Sequence, residues 1–260
     1  MKLASMHKLL TKDHTLILPY DQGLEHGPTD FDLRNVNPEY ILMLAEKAKL
    51  NGVVFQHGIA EKYYNINKHS VPLIVKLNGK TKLFKGEVFS PQVCSIERAL
   101  RLGAVAVGYT LYPGSGYESR MFQEFARIVE KAHRLGVPVI AWVYPRGKGI
   151  DENSTEIIAY AARTALELGA DFAKIKYNGD FEGFKWAVES AGAVKVVLSG
   201  GSKVSSLEFL ETAREVIDAG AVGIVAGRNV WQHEHPLRML AALKEVIFRN
   251  KSPQEAAKKL

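Results

Sequence analysis

Short apolar runs recur along the chain, each following a longer stretch that is rich in charge. Eight such runs occur, at positions 16–19, 53–56, 72–77, 104–110, 138–144, 172–177, 194–199 and 222–227. Their length and unbroken apolar character predict strands buried on both faces, as in a parallel sheet. The intervening stretches carry helix punctuation: Pro38 near one start, Ser205-Ser206-Leu207-Glu208 as a capping box, and glycines at 52, 103, 136, 169, 192 and 220 as stops. Eight strands with eight crossovers in 260 residues fit a closed (β/α)₈ TIM barrel better than an open doubly wound sheet, which more often has about five to seven strands. The expectation is α/β, one barrel domain over residues 1–260 with a short N-terminal extension and a C-terminal helix.

In such a barrel the chemistry sits where strands end, on the βα loops of one face. Polar residues collect there. In Phe172-Ala173-Lys174-Ile175-Lys176-Tyr177 the two lysines are two apart, so on a strand they share a face. Burying two ammonium groups together is costly, and desolvation beside a second cation favours the free amine, which is the form that attacks a carbonyl to give a Schiff base. One of the two lysines is therefore expected to be a reagent. One strand earlier, Trp142 and Tyr144 share a face in the same way. Tyr144 at the mouth is either a general acid/base or a packing residue with its hydroxyl at the rim, and Trp142 is a candidate substrate contact. Asp21, which ends the first run, either balances lysine charge and handles hydroxyl protons or closes an Asx turn before Gly23. Glu25 and His26 reach the mouth or brace the loop. After the seventh and eighth runs, Ser199-Gly200-Gly201 and Gly227-Arg228 let backbone N–H groups approach an anion, with Arg228 as a bidentate partner and Lys203 as a point charge. A second phosphate would need a further cation, for which Arg146, Lys203 and Lys80 are candidates.

Composition narrows the class of partner. A 47% hydrophobic, 24% charged chain is an ordinary globular composition, and the single Cys94 excludes an internal disulfide. With no apolar h-region after Met1-Lys2 and no run near 18 apolar residues, a cytoplasmic protein without a membrane segment is expected. The net charge of +6 lacks a basic block and suits a small anion as well as RNA. A basic barrel that binds RNA without chemistry would cluster its cations on an outer face. Here Lys174, Lys176, Arg146 and Arg228 fall at barrel positions. His57, His233 and His235 lack metal-ligand spacing, so neither metal nor cofactor is expected. The expected partners are phosphorylated sugars and further copies of the chain, with no nucleic acid and no membrane.

Seven blocks in order also resemble one family. They begin at Tyr20-Asp21-Gln22-Gly23, Gly52-Val53-Val54-Phe55, Lys76-Leu77-Asn78-Gly79, Gly108-Tyr109-Thr110-Leu111, Trp142-Val143-Tyr144-Pro145, Ala173-Lys174-Ile175-Lys176 and Gly227-Arg228-Asn229-Val230. This pattern, spread from about residue 15 to 235, is similar to the archaeal-type class I fructose-bisphosphate aldolases. The resemblance implies a (β/α)₈ barrel whose sixth strand carries a Schiff-base lysine, the fifth a tyrosine acid/base, and the end of the first an aspartate. By position these are Lys174, Tyr144 and Asp21. Where the family often has histidine, this chain has Gln22, and any role of that imidazole is absent. Related members include an aminodideoxyheptulosonate synthase, which makes 2-amino-3,7-dideoxy-D-threo-hept-6-ulosonate and is the alternative reading, and an autoinducer-processing thiolase. The Trp142-x-Tyr144 and Tyr112-Pro113-Gly114-Ser115-Gly116 blocks look closer to the aldolases.

Overall fold

The computed structural model describes residues 5–260. Eight parallel strands close into one barrel in chain order: β1 (Thr15–Pro19), β2 (Gly52–Gln56), β3 (Leu73–Lys76), β4 (Ala104–Leu111), β5 (Val139–Val143), β6 (Phe172–Ile175), β7 (Lys195–Ser199) and β8 (Gly223–Val225). Closure is made by β1, which pairs with β2 through Ile17 opposite Gly52 and with β8 through Ile17 opposite Val225. The architecture is the single-domain (β/α)₈ barrel that the alternation predicts.

Each strand sends one residue into a central apolar layer: Ile17, Val54, Ile74, Ala106, Ile140, Phe172, Val197 and Val225, all within 2% of full burial. Leu9, from the 3₁₀ turn Met6–Leu9, joins this cluster and is fully buried, so the segment before β1 plugs the barrel floor. Side chains two residues further along a strand face the same way. The inward face thus passes from Ile74, Ile140, Phe172 and Val197 to Lys76, Trp142, Lys174 and Ser199. The apolar layer is the floor, and the next layer is the site. Gly108 makes room within it, since a Cβ there would fall 1.8 Å from the Trp142 ring.

Local signals explain the helix ends. Asn37 caps the helix Pro38–Lys47 by accepting from the Glu39 N–H, and Ser205 caps Ser206–Asp218 by accepting from the Glu208 N–H. Glycines 103, 136, 169, 192 and 220 all adopt positive φ after their helices. Gly52 does not act as a stop. It opens β2, and Lys49 takes the left-handed turn with φ 48°; a Cβ on Gly52 would meet Ile74 Cδ1 at 2.9 Å. The sixth strand is also shorter than its apolar run and ends at Ile175.

Candidate active site

The strand ends converge on a cavity of about 500 Å³ at the C-terminal face of the barrel. Asp21, Trp142, Tyr144, Arg146, Lys174, Ser199, Gly200, Gly201, Gly227 and Arg228, all singled out in the sequence, line it, as do Glu25, His26 and Lys176. Lys203 does not. It is exposed on the β7 loop and its Nζ donates to the Gln232 carbonyl at 2.9 Å. Lys80 also stays out of the lining, held 3.7 Å from Glu25 with its Nζ donating to the Thr81 carbonyl.

Lys174 lies across the β5–β6 ladder from Trp142, 7% exposed, with its ammonium 5.4 Å from the indole centroid. Among the described residues its Nζ has no hydrogen-bond or ion-pair partner. Burial therefore dominates its ionisation. Desolvation and the Arg228 charge, opposed by Asp21 and Glu25, bring its pKa from 10.5 down to about 8. The lysine buried beside it is Lys76, not Lys176. Because β6 stops at Ile175, Lys176 leaves the ladder and pairs with Glu152 at 2.7 Å. Lys76, at the end of β3, comes to 5.7 Å from the Trp142 ring centroid and binds Asp21 Oδ2 at 3.1 Å. Two cations thus lie within 6 Å of one indole, a proximity favoured by the ring quadrupole.

Lys76 was not among the residues expected at the site from the sequence. Its signal was a lone lysine inside the apolar run Leu73-Ile74-Val75-Lys76-Leu77, in inward phase with Ile74. Burial alone would push the Asp21 carboxyl up. The Lys76 and Lys174 charges and the hydrogen bond from Lys76 outweigh burial and hold it below its ordinary value. Asp21 is consequently a carboxylate at neutral pH, available to accept a proton. Tyr144 contrasts with it. Its hydroxyl lies 3.0 Å from Ser199 Oγ, and burial pushes its pKa up to about 12 despite that hydrogen bond and the nearby Lys76 charge. The phenol is protonated and can donate.

The β7 and β8 loops form the other wall. Asn229, 3% exposed, donates to the Gly200 and Ser202 carbonyls at 2.7 and 2.9 Å and accepts from the Val204 N–H at 2.9 Å. These bonds turn two carbonyls toward the β8 side and fix the loop, whose Gly201 takes φ +63° with open space around it. Arg228 lines the same wall, and among the described residues it has no carboxylate partner. The opposite rim is a ring of ion pairs: Arg146 to Glu152 at 3.2 Å and to Glu25 at 3.6 Å, with Lys176 and Lys80 closing its ends. Glu25 thus braces this rim, and His26 is tied to Asp30 at 2.5 Å. His233 bridges Ser206 Oγ and the His235 N–H, each at 2.9 Å.

A buried amine of lowered pKa, a carboxylate and a phenol facing a glycine-rich wall is an assembly for carbonyl chemistry. The family model for DeoC/LacD family aldolases matches residues 15–233, the whole barrel. The chain belongs to the DeoC/LacD aldolase family. Among relatives in this aldolase family, the class 1 fructose-bisphosphate aldolase of Thermoproteus tenax is 54% identical over 93% of this chain and 92% of its own. The 2-amino-3,7-dideoxy-D-threo-hept-6-ulosonate synthase of Halobacterium salinarum is 35% identical over 98% and 94%. A solved structure of an archaeal fructose-1,6-bisphosphate aldolase, with its catalytic lysine covalently bound to the carbinolamine intermediate of the substrate, superposes with a TM-score of 0.90 at 50% identity, covering 95% of this chain and 100% of that one. The likeness to the fructose-bisphosphate aldolases thus exceeds that to the heptulosonate synthase.

Proposed function

We propose that this protein is a Schiff-base-forming (class I) fructose-1,6-bisphosphate aldolase, reversibly cleaving its substrate to dihydroxyacetone phosphate and glyceraldehyde 3-phosphate in glycolysis or gluconeogenesis. The observation that carries this reading is the partnerless Lys174 amine, buried at the strand end with its pKa near 8. In this reading the Lys174 amine adds to the C2 ketone, and loss of water gives an iminium. Proton loss from the C4 hydroxyl then breaks the C3–C4 bond, and its electron pair enters the iminium to form an enamine. Glyceraldehyde 3-phosphate departs, C3 takes up a proton, and hydrolysis returns the amine and dihydroxyacetone phosphate. Asp21, kept ionised by Lys76, accepts protons as the carbinolamine forms. Tyr144 serves the aldehyde oxygen: its protonated phenol suits the condensation direction, and microscopic reversibility makes its phenolate the base of cleavage. The Ser199-Gly200-Gly201 and Gly227-Arg228 wall takes the C1 phosphate. Holding that phosphate aligns C2 with Lys174, a positioning effect worth several kcal/mol of barrier.

The iminium is the electron sink, so the scheme uses no metal or cofactor. A cytoplasmic homo-oligomer completes the proposal; no helix among the described residues is long and apolar enough to cross a membrane. Two assays test it together: coupled detection of triose phosphate from fructose 1,6-bisphosphate, and borohydride reduction in the presence of dihydroxyacetone phosphate. Cleavage with an adduct on Lys174, abolished in Lys174→Met, is expected. An adduct on Lys76 or Lys176, or cleavage abolished by chelation and restored by zinc, refutes the scheme.

A further inference from the structure

Two neighbouring helices carry matched outward stripes. On the helix Thr155–Glu167, the exposed Glu156, Tyr160 and Arg163 lie one, five and eight residues past Thr155. On the helix Phe181–Ser190, the exposed Glu182, Trp186 and Glu189 lie one, five and eight residues past Phe181. Steps of four and three keep each set on one face of its helix. The other faces are buried, through Ile158, Ala161, Ala162 and Ala165 on the first helix and Phe184 and Ala187 on the second. The two starts are tied level, since Thr155 Oγ1 donates to Asp180 Oδ2 at 2.7 Å and Asn178 Nδ2 donates to the Asn153 carbonyl at 2.9 Å. Both helices then rise equally per residue, so Tyr160 and Trp186 come to one height, and Arg163 and Glu189 to another.

The aromatic pair is left in water. Tyr160 is 67% and Trp186 49% exposed, whereas Trp142 and Trp231 are 1% and 0% exposed. Large rings of these two types are the usual apolar anchors at the centre of an interface. Arg163 pairs only within its own helix, with Glu167, and Glu189 has no ion-pair partner among the described residues. The face is therefore self-complementary about a two-fold axis parallel to the helices. Such an axis lays the Thr155 helix of one copy on the Phe181 helix of a second at equal height. Tyr160 then meets Trp186 of the second copy and Arg163 meets its Glu189, each contact made twice. The like charges Glu156 and Glu182 meet only in the first turns, at the wet edge of the patch, where salt screens them.

Resting on the homo-oligomer part of the reading above, we infer that this face is a two-fold interface between copies of the chain, with Tyr160 and Trp186 as its apolar centre and the Arg163–Glu189 pairs fixing its register. The face lies on the outer wall of the barrel, and none of these four residues lines the cavity. Assembly through it leaves the mouth open and the Lys174 amine reactive.

The test measures mass by sedimentation at micromolar concentration, with acrylamide quenching as a local readout, since of the three tryptophans only Trp186 is exposed. Tyr160→Lys and Trp186→Lys should each halve the mass of the assembly, and in Tyr160→Lys the Trp186 ring should quench more readily than in the parent. Arg163→Glu should weaken association by about tenfold or more, through like-charge contact with Glu189, and adding Glu189→Arg should restore it. Borohydride trapping on Lys174 should persist in every variant, which reports an intact barrel. An oligomeric parent whose mass survives both lysine substitutions, or a charge reversal that its partner reversal does not rescue, overturns this interface and leaves the homo-oligomer and aldolase readings standing. A monomeric parent overturns the interface and the homo-oligomer reading together, leaving the face to a different partner, and the triose phosphate assay decides the aldolase reading independently of both.

Discussion

Titration of Lys174 is the property on which the proposed chemistry depends most directly. A pKa lowered to about 8 leaves about one amine in ten unprotonated at pH 7, about 300-fold more than a lysine at 10.5 would have. The rate of trapping by dihydroxyacetone phosphate and cyanoborohydride, with the adduct located by mass, should therefore rise with pH and level off with a midpoint near 8. Asp21 supplies the decisive perturbation. Its carboxylate holds the Lys174 pKa up against burial, so Asp21→Asn should move the midpoint down, by about 1 unit or more for a charge at close range. The variant also leaves the Lys76 ammonium uncompensated, which repels a second ammonium and pushes the same way. Only the midpoint is diagnostic, because Asp21 also handles protons in the scheme and its loss lowers the absolute rate. A midpoint near 10.5 in the parent, or one that rises in Asp21→Asn, would refute burial as the cause of activation.

The same ionisation has a cost in stability. Between pH 8 and 10.5 the unfolded state binds more protons at Lys174 than the folded state, so stability rises with pH across that window and the full penalty, about 3 kcal/mol, stands below pH 8. Lys174→Met should then melt higher than the parent at pH 7, with the difference shrinking above pH 8; a variant that melts lower at both pH values contradicts this. Tyr144→Phe should preserve folding and trapping while slowing turnover by about 10²- to 10⁴-fold, and a loss under about threefold would reduce Tyr144 to a packing residue. Asn229→Ala removes three bonds to the β7 loop, so KM for dihydroxyacetone phosphate in the condensation direction should rise well before Lys174 loses reactivity in trapping. An unchanged KM would show that the loop keeps its shape without it.

What the sequence determined by itself was whatever is local or periodic. Continuous apolar runs specify strands wetted on neither face, and Asn37-Pro38, Ser205 and the positive-φ glycines after the helices specify where helices begin and end. Eight repeats of that unit leave little besides a closed barrel. The period of two within a strand was enough to place Trp142 with Tyr144, and the order of strands was enough to bring the glycine turns after β7 and β8 together. What the tertiary structure alone decided were the pairings across the barrel. Lys174 and Lys176, two apart in sequence, separate because the β6 ladder breaks at Ile175, whereas Lys76, 98 positions before Lys174, is carried by β3 to the same indole. Lys203, adjacent in sequence to the glycine turn, is drawn to the Gln232 carbonyl, and Lys82, on a loop without local pattern, lines the cavity. Which cation remains unpaired depends on where Glu25 and Glu152 fall. Coulomb interactions act through space, so sequence separation says nothing about which charges meet.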